Sequence, residues 1–282
     1  MKTNFTLADK TSNLNFKNNT NQVLIQQIRN ATLKISYAGT VFLIDPMLAP
    51  KGAYPGFEET YRSELCNPLI DLPYTISEII KDVDAIIVTH THLDHWDDAA
   101  QEFIPKHIPL FVQNEQDADL IRSQGFINIK ILDNNTLFNN IHLSKVGGQH
   151  GTDTMYAVPD LAKRLGDTMG VIFQGKGIKT LYIAGDTIWC DETTRVIGNY
   201  KPEIIILNTG YARLKNFDKS IIMGKDDVKH AYQTATNAII IATHMDAVNH
   251  AMLTRKELHE YITKDGLDDR VLVPNDGETI KI

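Results

Sequence analysis

An apolar, β-branched strand from Ala85 to Val88 runs straight into Thr89-His90-Thr91-His92-Leu93-Asp94-His95-Trp96-Asp97, and no other stretch constrains this chain as much. Three imidazoles and a carboxylate fall within six residues, in a chain with ten histidines in all. Imidazole nitrogen and carboxylate oxygen are the ligand types preferred by zinc and other borderline divalent ions. Side chains alternate with period two at a strand end, so His90 and His92 point the same way and can grip one ion. Asp94 and His95 follow where the chain turns, and can address a second ion nearby. Trp96 is read as a packing residue that seals the loop. A closed structural zinc site would call for cysteines, and Cys66 and Cys190 are remote from this segment.

The strand belongs to a longer rhythm. Val23–Ile28, Thr32–Tyr37 and Thr40–Ile44, separated by turn residues, read as a β-meander that ends at Asp45-Pro46. Residues 49–74, with four prolines, form a long irregular loop of the kind that lines sites. Beyond it, amphipathic helices alternate with strands expected at Pro109–Val112, Ile127–Ile131, Ile141–Val146, Gly170–Phe173, Thr180–Ala184, Glu203–Leu207 and Ala238–Ala242. Thr75 with Glu78 and Thr254 with Glu257 are capping boxes, Asn114 is an N-cap, and Gly125 and Gly266 are helix stops. No linker or low-complexity seam interrupts the pattern. It predicts one domain over residues 1–282, a layered α/β sandwich, with residues 1–20 as a loosely ordered or surface-docked leader. The leader lacks an apolar run of about 7–15 residues, and no segment approaches ~20 apolar residues, so a cytoplasmic protein without membrane association is expected. The net charge of −7, with no Lys/Arg block, argues against a nucleic-acid partner.

His90-x-His92-x-Asp94-His95 resembles the signature of the metallo-β-lactamase superfamily, and within it the simple hydrolases of the L-ascorbate-6-phosphate lactonase-like branch. The resemblance implies a four-layer αββα sandwich with two metals at one edge, between the sheets. It also implies three further ligands in order. His150, in Gly147-Gly148-Gln149-His150, would complete three nitrogens around the first ion. Asp186, after Leu181–Ala184, would bridge the two ions. His244, after Ile239–Ala242, would finish the second site beside Asp94 and His95, with His250 as its rival or as an outer-shell or proton-donating group. Asp45 would orient a ligating histidine, or simply end its strand before a proline. Tyr211 leads the candidates for reading a substrate, ahead of Tyr54, Tyr61, Tyr156, Arg164 and Arg213. The loop 49–74 and the segment 152–164 would wall the cleft.

The implied enzyme is a dinuclear hydrolase in which a metal-bridging hydroxide, oriented by the catalytic Asp94, cleaves a small-molecule ester, lactone or related bond. Two divalent ions are expected, zinc by preference, with manganese or iron as alternatives. A phosphodiesterase on the same site and a non-catalytic metal-binding protein are the competing readings. A di-iron oxygen-reducing relative would place a glutamate where His92 stands and would need a flavin domain. A small-molecule substrate is the expected partner, and a homo-oligomer stays open.

Overall fold

In the computed structural model of the protein, residues 5–8, 15–17 and 20–282 are described. The chain opens with strands β1 (Thr6–Ala8), β2 (Leu24–Arg29), β3 (Thr32–Tyr37) and β4 (Thr40–Ile44), then crosses the long loop to helix α1 (Ile76–Ile80) and strand β5 (Ala85–Ile87). Helix α2 (Asp98–Phe103), strand β6 (Leu110–Val112), helix α3 (Glu115–Ser123) and strands β7 (Ile129–Ile131), β8 (Thr136–Phe138) and β9 (Ile141–Gly147) follow. Two short helices, α4 (Asp153–Tyr156) and α5 (Pro159–Leu165), precede β10 (Met169–Gln174) and β11 (Leu181–Ile183). The remainder alternates through α6 (Asp191–Tyr200), β12 (Ile204–Asn208), α7 (Lys225–Thr234), β13 (Ile239–Thr243), α8 (Arg255–Asp265), β14 (Val271–Leu272) and β15 (Thr279–Lys281).

These strands form two mixed sheets, ordered β1-β15-β2-β3-β4-β5-β6-β7 and β14-β13-β12-β11-β10-β9-β8. Their wholly apolar runs are explained by burial on both faces. In β13, Ile239 and Ile241 enter the core between the sheets, while Ile240 packs under the helices; Ile204, Ile206 and Ile205 of β12 divide the same way. Helices α6, α7 and α8 cover the second sheet through Val196, Val228 and Leu258, and α1, α2 and α3 cover the first through Ile79, Ala100 and Ile121. The expected αββα sandwich is therefore present. Among the described residues no helix is long and apolar enough to cross a membrane.

The capping signals fall where expected. Thr75 and Glu78 cap α1 reciprocally, Asn114 caps α3, and Thr254 with Glu257 caps α8, which Gly266 ends at φ +66°. Helix α2 was not foreseen, because Asp97 reads as the tail of the histidine segment although its carboxylate caps Ala100. Strands β1, β8, β14 and β15 have two or three residues each, too few for a period to show. Of the leader, residues 1–4, 9–14 and 18–19 lie outside the described residues; β1 pairs antiparallel with β15.

Topology gathers one set of strand ends. β4, β5 and β6 run parallel, as do β11, β12 and β13. β2 is antiparallel to β3, which is antiparallel to β4, so β2 points with β4; by the same steps through β10, β9 points with β11. The C-terminal ends of all these strands meet at one edge of the sandwich. The long loop is tied to that edge by the buried Arg29, whose guanidinium donates to the carbonyls of Met47, Ala49 and Ile70.

Candidate metal centre

Every candidate ligand follows one of these strand ends: the His90–His95 stretch after β5, His150 after β9, Asp186 after β11 and His244 after β13. The turns there are tight. Gly185 sits at φ +69°, and a Cβ on it would lie 2.4 Å from the Met169 carbonyl oxygen, so only glycine can deliver Asp186. Gly210 is equally bound, since a Cβ would meet the His244 carbonyl oxygen at 2.1 Å. His244 itself stands at φ +62° and Asp45 at φ +44°, conformations that cost energy for residues with a side chain.

His90 Nε2 and His92 Nδ1 lie 2.9 Å apart, and with His150 they form a group whose ligand atoms all fall within 4.8 Å of one another. The opposite nitrogens are engaged. His92 Nε2 donates to the Arg164 carbonyl at 2.9 Å and His150 Nδ1 to the Ile221 carbonyl at 3.0 Å. Thr89 Oγ1 donates to Asp45 Oδ2, leaving its lone pair for His90 Nδ1 at 3.2 Å. A ring nitrogen that donates carries the proton, so the inward nitrogen presents a lone pair.

Beside this group lies a second one, Asp94, His95 and His244. His95 Nδ1 donates to Asp45 Oδ2 at 2.9 Å, while its Nε2 lies 3.2 Å from His244 Nε2 and 3.2 Å from Asp186 Oδ2. His244 Nε2 is 3.3 Å from Asp94 Oδ2. Asp186 Oδ2 stands between the groups, 3.6 Å from His244 Nε2 and 3.8 Å from His150 Nε2. Ligand atoms around a tetrahedral ion at about 2.0–2.1 Å are about 3.3 Å from one another. The spacings here fit that value, and bare imidazole nitrogens facing each other at 3.2 Å need a cation or a proton between them.

The electrostatics agree. Burial opposes ionisation of Asp94 and Asp186, yet the neighbouring His95 and His244 outweigh it and hold both carboxyls well below the usual range. Burial also opposes charge on His95, but Asp186, Asp94 and Asp45 raise it well above 6.5; His244 is raised against its burial by Asp186 and Asp94. Burial, then His95 and His92, keep His90 neutral, and burial pushes His150 down to about 4. A pH dependence follows. Metal needs bare nitrogens on His95 and His244, and protons fill them as pH falls through their raised values. Chelator-stripped protein is expected to bind zinc at least about tenfold more weakly at about pH 6 than at about pH 8 by calorimetric titration. A pH-independent affinity would remove these two histidines from the ligand set.

Two residues that sequence reasoning missed complete the surroundings. Asn208, at the end of β12, donates from Nδ2 to Asp186 Oδ1 at 2.7 Å, which leaves Oδ2 as the inward oxygen. A lone polar residue ending an apolar strand is the signal that flagged Asp186, and it was present here too. Asn30 lies in the turn between β2 and β3; at φ +56° its Nδ2 donates to the Asp94 carbonyl at 3.0 Å and lies 3.5 Å from His244 Nε2.

Over the ligands lies a cavity of about 240 Å³ with His92, Asp94, His150 and Asp186 at its base. Phe57 and Thr60 from the long loop, Arg164 and Leu165 at the end of α5, Leu214, Ile221 and His250 form its walls. The structure thus brings His250 to the site. Tyr211 it does not: that ring packs against Gly224 and borders a separate cavity with Trp189. Nor do Tyr54, Tyr61, Tyr156 or Arg213 line the metal-side cavity; the Tyr156 hydroxyl donates to the Gly166 carbonyl, and the Arg213 guanidinium lies over Tyr61 and donates to the Phe217 carbonyl.

Residues 40–245 match the beta-lactamase superfamily domain. The UPF0173 protein YddR of Bacillus subtilis is 46% identical over 90% of this chain and 98% of its own length. A possible metal-dependent hydrolase from Veillonella parvula superimposes with a TM-score of 0.90 at 47% identity, over 92% of this chain and 98% of that one. The isothiocyanate hydrolase from Delia radicum gut bacteria does so with a TM-score of 0.88 at 46% identity, over 91% and 98%.

Proposed function

We infer that this chain, which belongs to the beta-lactamase superfamily and within it to the UPF0173 metal-dependent hydrolases, holds two divalent ions, zinc by preference, and hydrolyses a small electrophilic molecule. His90, His92 and His150 would hold one ion, Asp94, His95 and His244 the other, and Asp186 both. The observation that carries this reading is the position of Asp186 Oδ2, within 3.8 Å of ligand nitrogens from both groups. When bound, such ions supply Lewis acidity and lower the pKa of water from 15.7 to about 7.

The protein's own groups supply the rest. Asn208 fixes which oxygen of Asp186 faces inward. Asp94, at the cavity base, is placed to orient the attacking water and to pass its proton to the leaving group. Phe57, Leu165, Leu214 and Ile221 give the cavity an apolar lining, and a substrate seated among them would displace water and strengthen the charge interactions below it. The cavity is smaller than the 300–1,000 Å³ or so of common ligand sites, which favours a compact substrate.

An isothiocyanate suits these limits and is the substrate class of the Delia radicum relative. Water adds across the central carbon of R–N=C=S to give a thiocarbamate, and cleavage of its C–N bond releases an amine and carbonyl sulfide. A lactone or ester needs the same two functions, attack on an electrophilic carbon and protonation of a departing atom. A phosphodiester is less well served, because Arg164 is the one cationic side chain in the wall among the described residues, and it pairs with Glu59 at 2.7 Å.

The test is a panel of aryl and alkyl isothiocyanates, chromogenic lactones, esters and phosphodiesters with the zinc- and manganese-loaded enzyme. Isothiocyanates are expected to lead in kcat/KM by about 100-fold, ~2.7 kcal/mol of transition-state discrimination. Preference for phosphodiesters, or metal analysis giving fewer than two ions per chain in the active enzyme, would overturn the reading.

A further inference from the structure

His250 is the one imidazole at the cavity that the ligand set does not use. Its ring borders the same cavity as His92, Asp94, His150 and Asp186, yet the residue is only 7% exposed. Nδ1 is buried and has no hydrogen-bond partner, and Nε2 bonds to no group among the described residues, which leaves Nε2 as the ring nitrogen open to the cavity. The partner of Nε2 is therefore whatever occupies the cavity beside the candidate ligands.

The ring is held for that purpose. Phe57 packs edge-on against it with centroids 4.9 Å apart. The preceding residue, Asn249, locks this wall to the long loop: its Oδ1 accepts from Phe57 N and Asn67 Nδ2, and its Nδ2 donates to Thr60 Oγ1 and the Tyr61 carbonyl. The His250 carbonyl accepts from Arg213 N at 3.0 Å. A side chain whose neighbours fix it from both sides is preorganised to meet a substrate. Burial pushes its pKa down to about 4, so the ring is neutral and has a single N–H. A proton on Nδ1 would be a buried donor with nothing to bond, so it resides on Nε2.

We propose that His250 is a substrate-contacting residue, its Nε2–H donating a hydrogen bond to the substrate atom that gains negative charge as water adds to the electrophilic carbon. For an isothiocyanate that atom is the nitrogen or the sulfur. No proton need leave the ring; the bond strengthens as charge develops and so acts on the transition state. This assignment rests on the hydrolase reading above.

The experiment uses the cobalt-loaded full chain and thiocyanate, an N–C–S anion, as the probe, with affinity read from the visible spectrum. His250→Phe is expected to keep the wild-type metal content and to weaken thiocyanate binding at least tenfold, while His250→Gln, which retains a donor, stays within threefold. With an isothiocyanate substrate, kcat should fall about 100-fold in His250→Phe with KM within a few-fold. In the wild-type protein, ¹⁵N-histidine spectra should show His250 protonated at Nε2, with that resonance moving on thiocyanate addition, a readout that needs no variant to fold. Loss of metal in His250→Phe would make the residue a ligand and overturn the proposal. So would unchanged thiocyanate binding, equal weakening in both variants, or an Nδ1-protonated ring. If the wild-type enzyme turns over no isothiocyanate, the substrate reading falls alone, and the thiocyanate titration still decides the role of His250.

Discussion

Asp186→Ala is expected to leave a folded protein that retains less than one metal ion per chain and has lost turnover by about 10⁴-fold or more, ~5 kcal/mol of transition-state stabilisation. The size of the effect comes from what Asp186 Oδ2 faces. It lies 3.2, 3.6 and 3.8 Å from the inward nitrogens of His95, His244 and His150, and among the described residues no other carboxylate lies within 4 Å of imidazoles from both groups. Its removal takes one of the two carboxylates from the candidate ligand set, and with it half of the negative charge proposed to hold the cations. It also leaves Asn208 Nδ2 without its 2.7 Å acceptor. Asp186→Asn separates these contributions, because the amide preserves shape but has no charge and can offer only one neutral oxygen. It should recover little metal. Elemental analysis of the purified variants and kcat/KM at saturating zinc are the measurements. A variant that keeps two ions and more than a tenth of wild-type activity would show that the two sites do not share this residue.

The candidate ligands were easier to read from the sequence than the cavity, and the reason is physical. A candidate ligand set announces itself because the chemistry restricts the residue types and the fold restricts their place: His90, Asp186 and His244 each follow an apolar strand within three residues. The strands were legible for the same reason, since Ile204–Ile206 and Ile239–Ile241 are apolar on both faces and can only be buried. Substrate walls lack such a restriction. Phe57, Leu214 and Ile221 are apolar residues in irregular segments, and nothing local distinguishes a wall from a packing contact. Tyr211 illustrates the converse: it follows β12 by a few residues, but the positive φ at Tyr211, +49°, and the close approach of Gly210 to His244 carry its ring to the far side. A residue's distance along the chain from a strand end does not give its direction once the backbone enters a left-handed turn. Asn208 was missed for a different reason, since an amide next to a metal ligand has many ordinary roles and only the observed 2.7 Å bond selects this one.

Asp45→Asn is expected to lower affinity for the second metal by about 10–100-fold without removing any ligand. Asp45 is 1% exposed, and both oxygens are committed: Oδ1 accepts from Thr89 N at 2.7 Å, and Oδ2 accepts from Thr89 Oγ1 at 2.8 Å and His95 Nδ1 at 2.9 Å. All three partners are donors. An amide placed there must turn its NH₂ toward one of them, whichever way it is oriented. If it faces Oδ1's partner, the Thr89 N–H is left unsatisfied and the stretch that carries His90 is loosened. If it faces Oδ2's partners, His95 loses the acceptor that holds its proton on Nδ1. The proton then moves to Nε2, the nitrogen directed at the metal, and must be expelled before the metal can bind. The first outcome leaves the buried Thr89 N–H unpaired, which should cost the metal-free fold about 1–3 kcal/mol in denaturant unfolding. Because the ligands themselves survive, excess zinc should restore most of kcat in Asp45→Asn but none in Asp186→Ala, and that contrast separates a positioning group from a ligand. Wild-type metal affinity in Asp45→Asn, or a loss of kcat that zinc cannot reverse, would mean that Asp45 does not act through His95.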